Sequence, residues 1–529
     1  MLSNITQLDK HSLYELLSQR FESEDKKLSQ IPNPALLQDA TKSAKKIALA
    51  IRENKRITLV GDYDVDGVSS TAIMVDFFRQ IPYPLEAIIP NRFHDGYGVS
   101  PNVLKRVDAD LVITVDNGIA AIGAAQICKE KNIELIITDH HTPSDILPEA
   151  FAIVDPKLAT CAYPFKEICG AQVAWLLLAL VKKELNLTID MKQFLDILAI
   201  AIIADIMPLI DINRTLVKEG LKLMLHSNRP SSIIIRDFLN KSIITSEDIA
   251  FQIAPRINSA GRLEDASIAL DFFTATTTTQ AYKQFELLGT LNELRKATEA
   301  KCTQEAMEIA NGDDKVIVVW HEYWHEGVVG IVASRLVEAF GKPAIVLSCE
   351  NGIAKGSARS VGEVNIYELI KANNSYLSKF GGHKMAAGLG LLEENIKAFK
   401  IAINQTALKI DPKDFIPKDT LMGILSSDEI DLELLNLLES FEPFGEGNLR
   451  PKFLLQDADV VKIRLIGTDK SHSRIEVKQY PHAKKTIELV AFRTVFEMPE
   501  NKKITCSYTV SKNEFNNKLS VQLLVDKIY

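Results

Sequence analysis

Between residues 57 and 156 short β-branched runs alternate with helical stretches, and each run ends in a polar cluster. ITLV (57–60) leads into GDYDVDG and a helix around Ser69 to Arg79. LEAIIP (85–90) comes next, and LVITV (111–115) leads into Asp116 and a helix around Ala120 to Lys131. LIIT (135–138) ends in DHH (139–141), and FAIV (151–154) ends in Asp155 and Pro156. Apolar strands alternating with helices predict βαβ units and a mostly parallel sheet. Ligands of such sheets bind beyond the carboxyl ends of the strands. The acidic and histidine residues stand at those ends.

The rest of the chain divides by pattern. Residues 1–55 read as an amphipathic helical segment broken at Pro32 and Pro34, and 56–212 as the α/β domain, closed by two buried helices over 170–204. Residues 213–310 read as a helical connector, with a long exposed helix from about Glu293 to Glu308. A second α/β domain is expected over 311–410, from VIVVW (316–320), a helix from Val328 to Phe340 and AIVLS (344–348). Residues 411–447 read as a linker ending in PFGEGN. Over 448–529 short alternating runs predict a small antiparallel barrel.

Composition removes several classes. The chain has 529 residues and 46% hydrophobic content, enough for three or four self-sufficient cores. Its six cysteines (Cys128, Cys161, Cys169, Cys302, Cys349 and Cys506) form no CxxC pair, which argues against a zinc ribbon or disulfide framework and for a reducing, cytoplasmic setting. The N-terminus is too polar for a secretory signal. The longest apolar run, Ile197 to Ala204, falls far short of the ~20 residues of a membrane span. Net charge is −8, unevenly spread: residues 448–529 hold 15 Lys/Arg against 9 Asp/Glu, a net +6, leaving −14 on the remainder. A basic module on an acidic body suits a part that meets phosphates, although chance surface variation gives the same pattern.

The densest chemistry is V-G-D-Y-D-V-D-G at 60–67. Asp62, Asp64 and Asp66 follow a strand so closely that their charges repel unless cations neutralise them. Gly61 and Gly67 would let the backbone turn around a ligand. An EF-hand is rejected: its twelfth position would be Ile73 instead of glutamate, and a strand precedes the loop. Asp116, Asp139-His140-His141 and Asp205 stand at other element ends. Singly, each has an ordinary reading as a helix cap or surface residue. Their shared placement points to one site.

GDYDVDG, VDNG, TDHH and AIIADIMPL, in this order, resemble the four motifs of the DHH phosphoesterase superfamily. NRFHDGYGVS (91–100), NRTLVKEGL (213–221), APRINSAGRL (254–263), WHEGVVGIVASRL (324–336), KGSARS (355–360), GGHKMAAG (381–388) and PFGEGNLRP (443–451) are similar to the RecJ exonucleases in particular. The resemblance runs from about residue 55 to the end. It implies a parallel-sheet DHH domain facing a DHH-associated domain across a cleft, and a C-terminal OB-like barrel.

The resemblance further implies that Asp64, Asp66, Asp116, His140 and Asp205 hold two divalent metals, with Asp116 bridging. Asp62 occupies an acidic motif position whose contact with metal stays open. Asp139 is the structural hydrogen-bonding member, and His141 faces substrate. Mixed carboxylate and imidazole ligands put Mn²⁺ first and Mg²⁺ second. Arg262, Ser357 and Arg359 match positions that bind a terminal phosphate. Gly356 to Arg359 and Gly381 to His383 read as substrate-binding turns, with Gly356 and His383 among the contacts. Arg262 could instead cap a helix or pair with Glu264 or Asp265. The implied activity is 5′ to 3′ hydrolysis of single-stranded DNA in repair and recombination, by a monomer that works with a helicase and single-strand-binding protein. The barrel's aromatics are Phe453, Tyr480, Phe492, Phe496, Tyr508, Phe515 and Tyr529; some belong to its core, so it leans toward phosphate contacts. Two rivals remain. A phosphoesterase for small substrates would lack the basic barrel, and a scaffold that had lost activity would lack the ligand set.

Overall fold

The computed structural model describes residues 5–21, 26–417, 421–467, 470–479, 486–492, 494–515 and 518–529. The first sheet has the strand order Glu86–Ile88, Ile57–Val60, Leu111–Val115, Glu134–Thr138, Ala152–Val154, every neighbour parallel. Its central strands are buried along their whole length because helices cover both faces. The first helix begins at Val65, four residues earlier than its apolar pattern suggests. Asp64 caps it, its Oδ1 accepting the Gly67 N–H at 3.0 Å, so Asp66 falls in the first helical turn.

One hydrophobic core runs from Leu37 to Leu291. The stretch expected as a connector is therefore largely part of the first domain: Leu216, Val217, Ile235, Ile257 and Phe272 all lie in that core. Helices Asp211–His226, Pro230–Leu239 and Ala254–Leu263 have apolar faces that need covering, and the α/β layer covers them. The Thr278–Ile309 helix leaves this core and crosses to the second domain. Its distal half is not exposed all round, since Arg295, Glu299 and Cys302 are buried. Glu299 accepts from Arg295 at 2.5 Å and from Arg335 at 3.1 Å, which is how two lobes can bury charge between them.

The second sheet has the order Lys379–Gly382, Ala386–Leu392, Ile353–Arg359, Ala344–Glu350, Ile317–His321. Only the last two strands are parallel; the others pair antiparallel. The segment KGSAR is thus strand, not turn, and Gly381 and Gly382 also lie in a strand.

The C-terminal barrel runs Lys452–Ile466, His472–Lys478, Ile487–Ala491, Lys518–Ile528, Lys503–Phe515, and the last strand closes on the first. It is not wholly antiparallel, because Ile487–Ala491 and Lys518–Ile528 run parallel. The N-terminal strand Gln7–Leu8 joins this sheet through Leu421–Leu425. Leu8, Leu13 and Leu17 share a core with Leu434, Leu438 and Phe453. Residues 1–55 are therefore not one unit: the start packs on the barrel, while Ala44 and Ile47 of helix Ala40–Arg52 pack in the first core. Nor is 411–447 a plain linker, since Leu421–Leu425 and the helix Leu432–Ser440 belong to the barrel. Among the barrel aromatics Phe453 and Tyr508 are fully buried, Phe496 packs against the core, and Phe492 and Tyr529 are exposed. Tyr480 and the Phe515 side chain lie outside the described residues. No helix among the described residues is long and apolar enough to cross a membrane.

Candidate metal centre and substrate cleft

The carboxyl ends of the parallel strands carry Asp62, Asp116 and the Asp139–His141 run to one place, and two helix ends complete it. Asp66 points back at the N-terminus of helix Gly170–Glu184, accepting the Gly170 N–H at 2.6 Å and the Ala171 N–H at 2.9 Å. The free amides and positive end of that helix hold the carboxylate in position. Asp116 adopts a left-handed backbone with φ 62°. That conformation is uncommon outside glycine and concentrates at functional positions. Asn117 secures it, donating to Val60 O at 3.1 Å and Val115 O at 2.9 Å. Asp205 follows the last residue of helix Leu195–Ala204.

His140 Nε2 stands 3.2 Å from Asp116 Oδ1, 3.5 Å from Asp205 Oδ2 and 3.6 Å from Asp66 Oδ2. Burial, opposed by the charge of Asp66, brings its pKa down to about 4, so the ring is neutral and offers a lone pair at neutral pH. Asp62 Oδ1, Asp116 Oδ1, Asp205 Oδ2 and both nitrogens of His140 are buried with no hydrogen-bond partner. Burial, with the neighbouring carboxylates adding to it, pushes Asp62, Asp116 and Asp205 well above the usual carboxylate range. Orphaned acceptors crowded in this way fit divalent cations, which would restore the charged forms. The ligand atoms gather as Asp66–His140–Asp205, Asp62–Asp64–Asp116 and Asp116–His140–His141. The structure thus brings together all five expected ligands and adds Asp62, which the motif alone left open.

Asp139 is occupied by hydrogen bonds. Its Oδ2 accepts from Ile119 N–H at 2.8 Å, and its Oδ1 accepts the His140 N–H at 2.8 Å and lies 2.7 Å from His141 Nδ1. Burial pulls the His141 pKa down, but Asp139 outweighs it and, with Asp205 and Asp64, holds the imidazole at about 9. Its Nε2 is left facing the cleft, 3.4 Å from Tyr97 Oη. Tyr97 belongs to NRFHDGYGVS, a segment that was legible as a motif without any role attached to the tyrosine.

A β-carbon at Gly170 would sit 2.5 Å from Asp116 Cβ and 2.6 Å from its Oδ1. Gly170→Ala is therefore expected to displace Asp116 and weaken Mn²⁺ binding by about tenfold or more, the range seen when groups behind a ligand are changed. Calorimetric titration checks this, and an unaltered affinity would show that Asp116 has room to move.

Across the cleft, the Arg262 guanidinium donates to Gly327 O at 3.2 Å. This replaces the alternative pairing with Glu264 or Asp265. A β-carbon at Gly327 would fall 1.9 Å from Arg262 O, and one at Gly330 would fall 3.1 Å from Arg359 Nη2 and 3.3 Å from Ser357 Oγ. Two glycines thus let the connector, the turn before helix Val329–Phe340 and the strand Ile353–Arg359 close on one another. Arg262, Ser357 and Arg359 come from segments far apart in sequence and meet here. Burial and the nearby charges of Arg92, Arg295 and Arg359 bring the Arg262 pKa down to about 10. Arg92 was not singled out from sequence; its guanidinium lies 4.3 Å over the Tyr63 ring, and its buried Nε has no partner. Gly356 lies within the strand Ile353–Arg359, where a β-carbon would fall 2.2 Å from Val346 O, so the close approach of the two strands requires glycine. It alternates with Ser357 along the strand and serves sheet packing. His383 begins an exposed hairpin turn, close enough to Lys157 and His141 for their charges, after burial, to lower its pKa.

The comparisons agree in domain order. The profile of the DHH family, N-terminal domain, matches residues 56–202, that of the DHHA1 domain 313–409, and that of the RecJ OB domain 423–527. The single-stranded-DNA-specific exonuclease RecJ of Bacillus subtilis is 34% identical over 93% of this chain, which spans 64% of that relative's length. The protein of the same name from Haemophilus influenzae is 33% identical over 95% of this chain and 93% of its own. The crystal structure of RecJ from Thermus thermophilus in complex with Mn²⁺ superposes with a TM-score of 0.80 at 30% identity, over 94% of this chain and 73% of that one. A second structure of that protein holds Mg²⁺ and gives a TM-score of 0.77 at 27% identity. With the three domain profiles in order and the Haemophilus influenzae relative matched at 33% identity along 93% of its length, the chain belongs to the RecJ family of DHH proteins.

Proposed function

We propose that this protein is a metal-dependent exonuclease that removes nucleotides from the 5′ end of single-stranded DNA, in repair and recombination. The observation that carries the reading is the convergence of Asp62 Oδ1, Asp116 Oδ1, Asp205 Oδ2 and His140 Nε2, all buried and unpartnered, opposite a cluster of guanidinium groups. Asp66, Asp116, His140 and Asp205 would hold one cation, and Asp62, Asp64 and Asp116 a second, with Mn²⁺ preferred over Mg²⁺. When bound, two such cations would supply Lewis-acid polarisation of a phosphodiester and a lowered water pKa. The residues do the rest. His141, oriented through Nδ1 by Asp139, presents Nε2 to a phosphate oxygen, and Tyr97 limits the swing of its ring. Arg262, Ser357 and Arg359 grip a terminal phosphate, with His383 in the hairpin turn that leads into Ala386, the strand partner of Arg359. The relatives carry the names of single-strand-specific exonucleases, which supports the choice of substrate. The test is release of mononucleotides from 5′-labelled and 3′-labelled single strands with and without Mn²⁺. Release that survives chelation of divalent ions, or that starts from the 3′ end, overturns the proposal.

The barrel is the proposed holder of the strand beyond the cleft. Arg464 and Arg474 face each other directly across two strands, and Lys462 is exposed beside them. Glu488 already pairs with Arg474 at 3.4 Å and Glu476 stands opposite Lys462, so carboxylates offset part of this basic face and Arg464 and Lys462 are the groups left to meet a phosphate. The double variant Lys462→Gln/Arg464→Gln is expected to flatten the salt dependence of single-strand binding by about 1.4 in log–log slope, at roughly 0.7 per phosphate contact. Binding measured at several salt concentrations checks it, and an unchanged slope removes this face from the path of the strand.

A further inference from the structure

We propose that a cavity of about 650 Å³ beside the metal cluster receives the base of a nucleotide adjoining the scissile linkage, with Phe251 as its stacking platform. The inference rests on the reading of the chain as a single-strand exonuclease and adds to it a base-recognising subsite. Ile206, Met207, Phe251, Asn258, Arg262 and Leu449 are among the residues that line the cavity.

Three features of different origin meet there. The Leu195–Ala204 helix ends with the Ile206 N–H donating to Ile203 O at 3.2 Å and the Met207 N–H to Ile202 O at 3.1 Å. That closure places its left-handed residue where glycine is usual. Here it is Ile206, with φ 56°. A β-branched side chain is strained in that region, and strain of this kind persists where it serves a site. Ile206 directly follows the ligand Asp205 and is 69% exposed. Second, Ile249–Ile253 is a π-helical turn, a feature enriched at functional sites. It buries Ile249 and Ile253 and leaves Phe251 77% exposed. Third, Leu449 is 50% exposed just beyond the PFGEGN loop. Apolar side chains gathered on one cavity wall and left in water mark a surface that expects a ligand.

The charges say which part of a nucleotide fits. Arg295 and Arg335 in the wall are paired with Glu299, and Arg450 is paired with Glu247 and Glu442. Guanidiniums already neutralised by carboxylates do not make a phosphate pocket, which leaves Arg262, bonded to Gly327 O, as the phosphate-reading guanidinium of this wall. Apolar walls with a few fixed polar groups suit a flat heterocycle, which stacks on an aromatic face whatever its sequence. Because Ile206 is joined to Asp205, a base held here belongs to a nucleotide whose phosphate lies at the metal cluster.

The experiment measures Mn²⁺-dependent cleavage of 5′-phosphorylated single strands carrying one abasic residue at each of the first four positions in turn. Wild type, Phe251→Ala, Phe251→Trp and Ile206→Gly are compared. An abasic residue at one of these positions is expected to slow wild type by about tenfold, within the range of one lost base–aromatic stack. Phe251→Ala should slow cleavage of intact strands by the same factor and show no further loss on that abasic strand, and Phe251→Trp should restore the wild-type pattern. Ile206→Gly, which relieves backbone strain, should leave the melting temperature equal or higher while reducing discrimination against the abasic strand. Equal slowing of Phe251→Ala on every substrate, or wild-type rates throughout, overturns the subsite. So does a change in oligomeric state with the abasic pattern intact, which would assign the face to a protein contact. If wild type cleaves no single strand at all, the exonuclease reading itself falls, an outcome distinct from a missing abasic effect.

Discussion

Asp116→Asn is expected to cut nucleotide release to below about a tenth of the wild-type rate, equivalent to more than ~1.4 kcal/mol of barrier, while the folded protein still binds single strands. The substitution is close to isosteric, and asparagine tolerates the left-handed backbone that position 116 requires. Its neighbours Asn117 and Gly118 keep their own bonds and turn, so the fold has no reason to change. What disappears is one negative charge. Asp116 shares one group of ligand atoms with Asp62 and Asp64, and its Oδ1 also stands 3.2 Å from His140 Nε2, which gathers with Asp66 and Asp205. Loss of that charge weakens both groups, whereas a carboxylate serving one cation would weaken only one. Calorimetric titration with Mn²⁺ should therefore show both binding events impaired. A variant that retains more than a tenth of the activity, or loses one binding event and keeps the other intact, would falsify the bridging role.

The second large effect concerns the strand terminus. Arg359→Ala and Arg262→Ala are each expected to shrink the preference for 5′-phosphorylated over 5′-hydroxyl strands by roughly ten- to a hundred-fold. Hydrogen bonds to a charged group contribute about 1.5–3 kcal/mol, which corresponds to that range. The physical basis is placement. Arg262 is anchored by Gly327 O, and Ser357 and Arg359 project from one face of their strand toward Gly330. A terminal phosphate carries an extra charge and an extra open oxygen face, and a planar guanidinium reads both at once. Rates on the two substrates, measured for each variant, give the ratio directly. If both variants slow the two substrates equally, the arginines support folding or general affinity, and end recognition lies elsewhere.

The first domain was readable from local pattern because its central strands are buried on both faces and each leads into an acidic residue of the candidate site. ITLV, LVITV and LIIT are apolar apart from one threonine each, and they lead into Asp62, Asp116 and Asp139 respectively. Periodicity identifies such strands, and the rule that ligands bind at carboxyl ends then locates the site without coordinates. Local signals misled where position depended on a distant partner. Gly356 in KGSARS looks like a phosphate turn, yet it is there to let a strand approach Val346 O. The helix of Lys10–Ser18 has an apolar face, but nothing in it indicates that residues beyond 420 will cover that face. Polar segments misled for a related reason: Arg295 and Glu299 look like an exposed helix surface in sequence and are buried as a pair between two lobes.

By itself, then, the sequence determined the parallel sheet, the order of the domains and the set of acidic and imidazole residues that gather at the strand ends. These arise from residue type and short-range spacing, and from the motifs of the family. The tertiary structure alone decided that Asp62 joins Asp64 and Asp116, that Arg92 and Tyr97 enter the cleft, and that the connector shares the core of the first domain. It also decided that the first strand of the chain belongs to the last sheet. Each of these is a contact between segments far apart in the chain. Such contacts are selected by which surfaces fit together once helices and strands exist, and hydrophobic periodicity identifies a face without naming its partner.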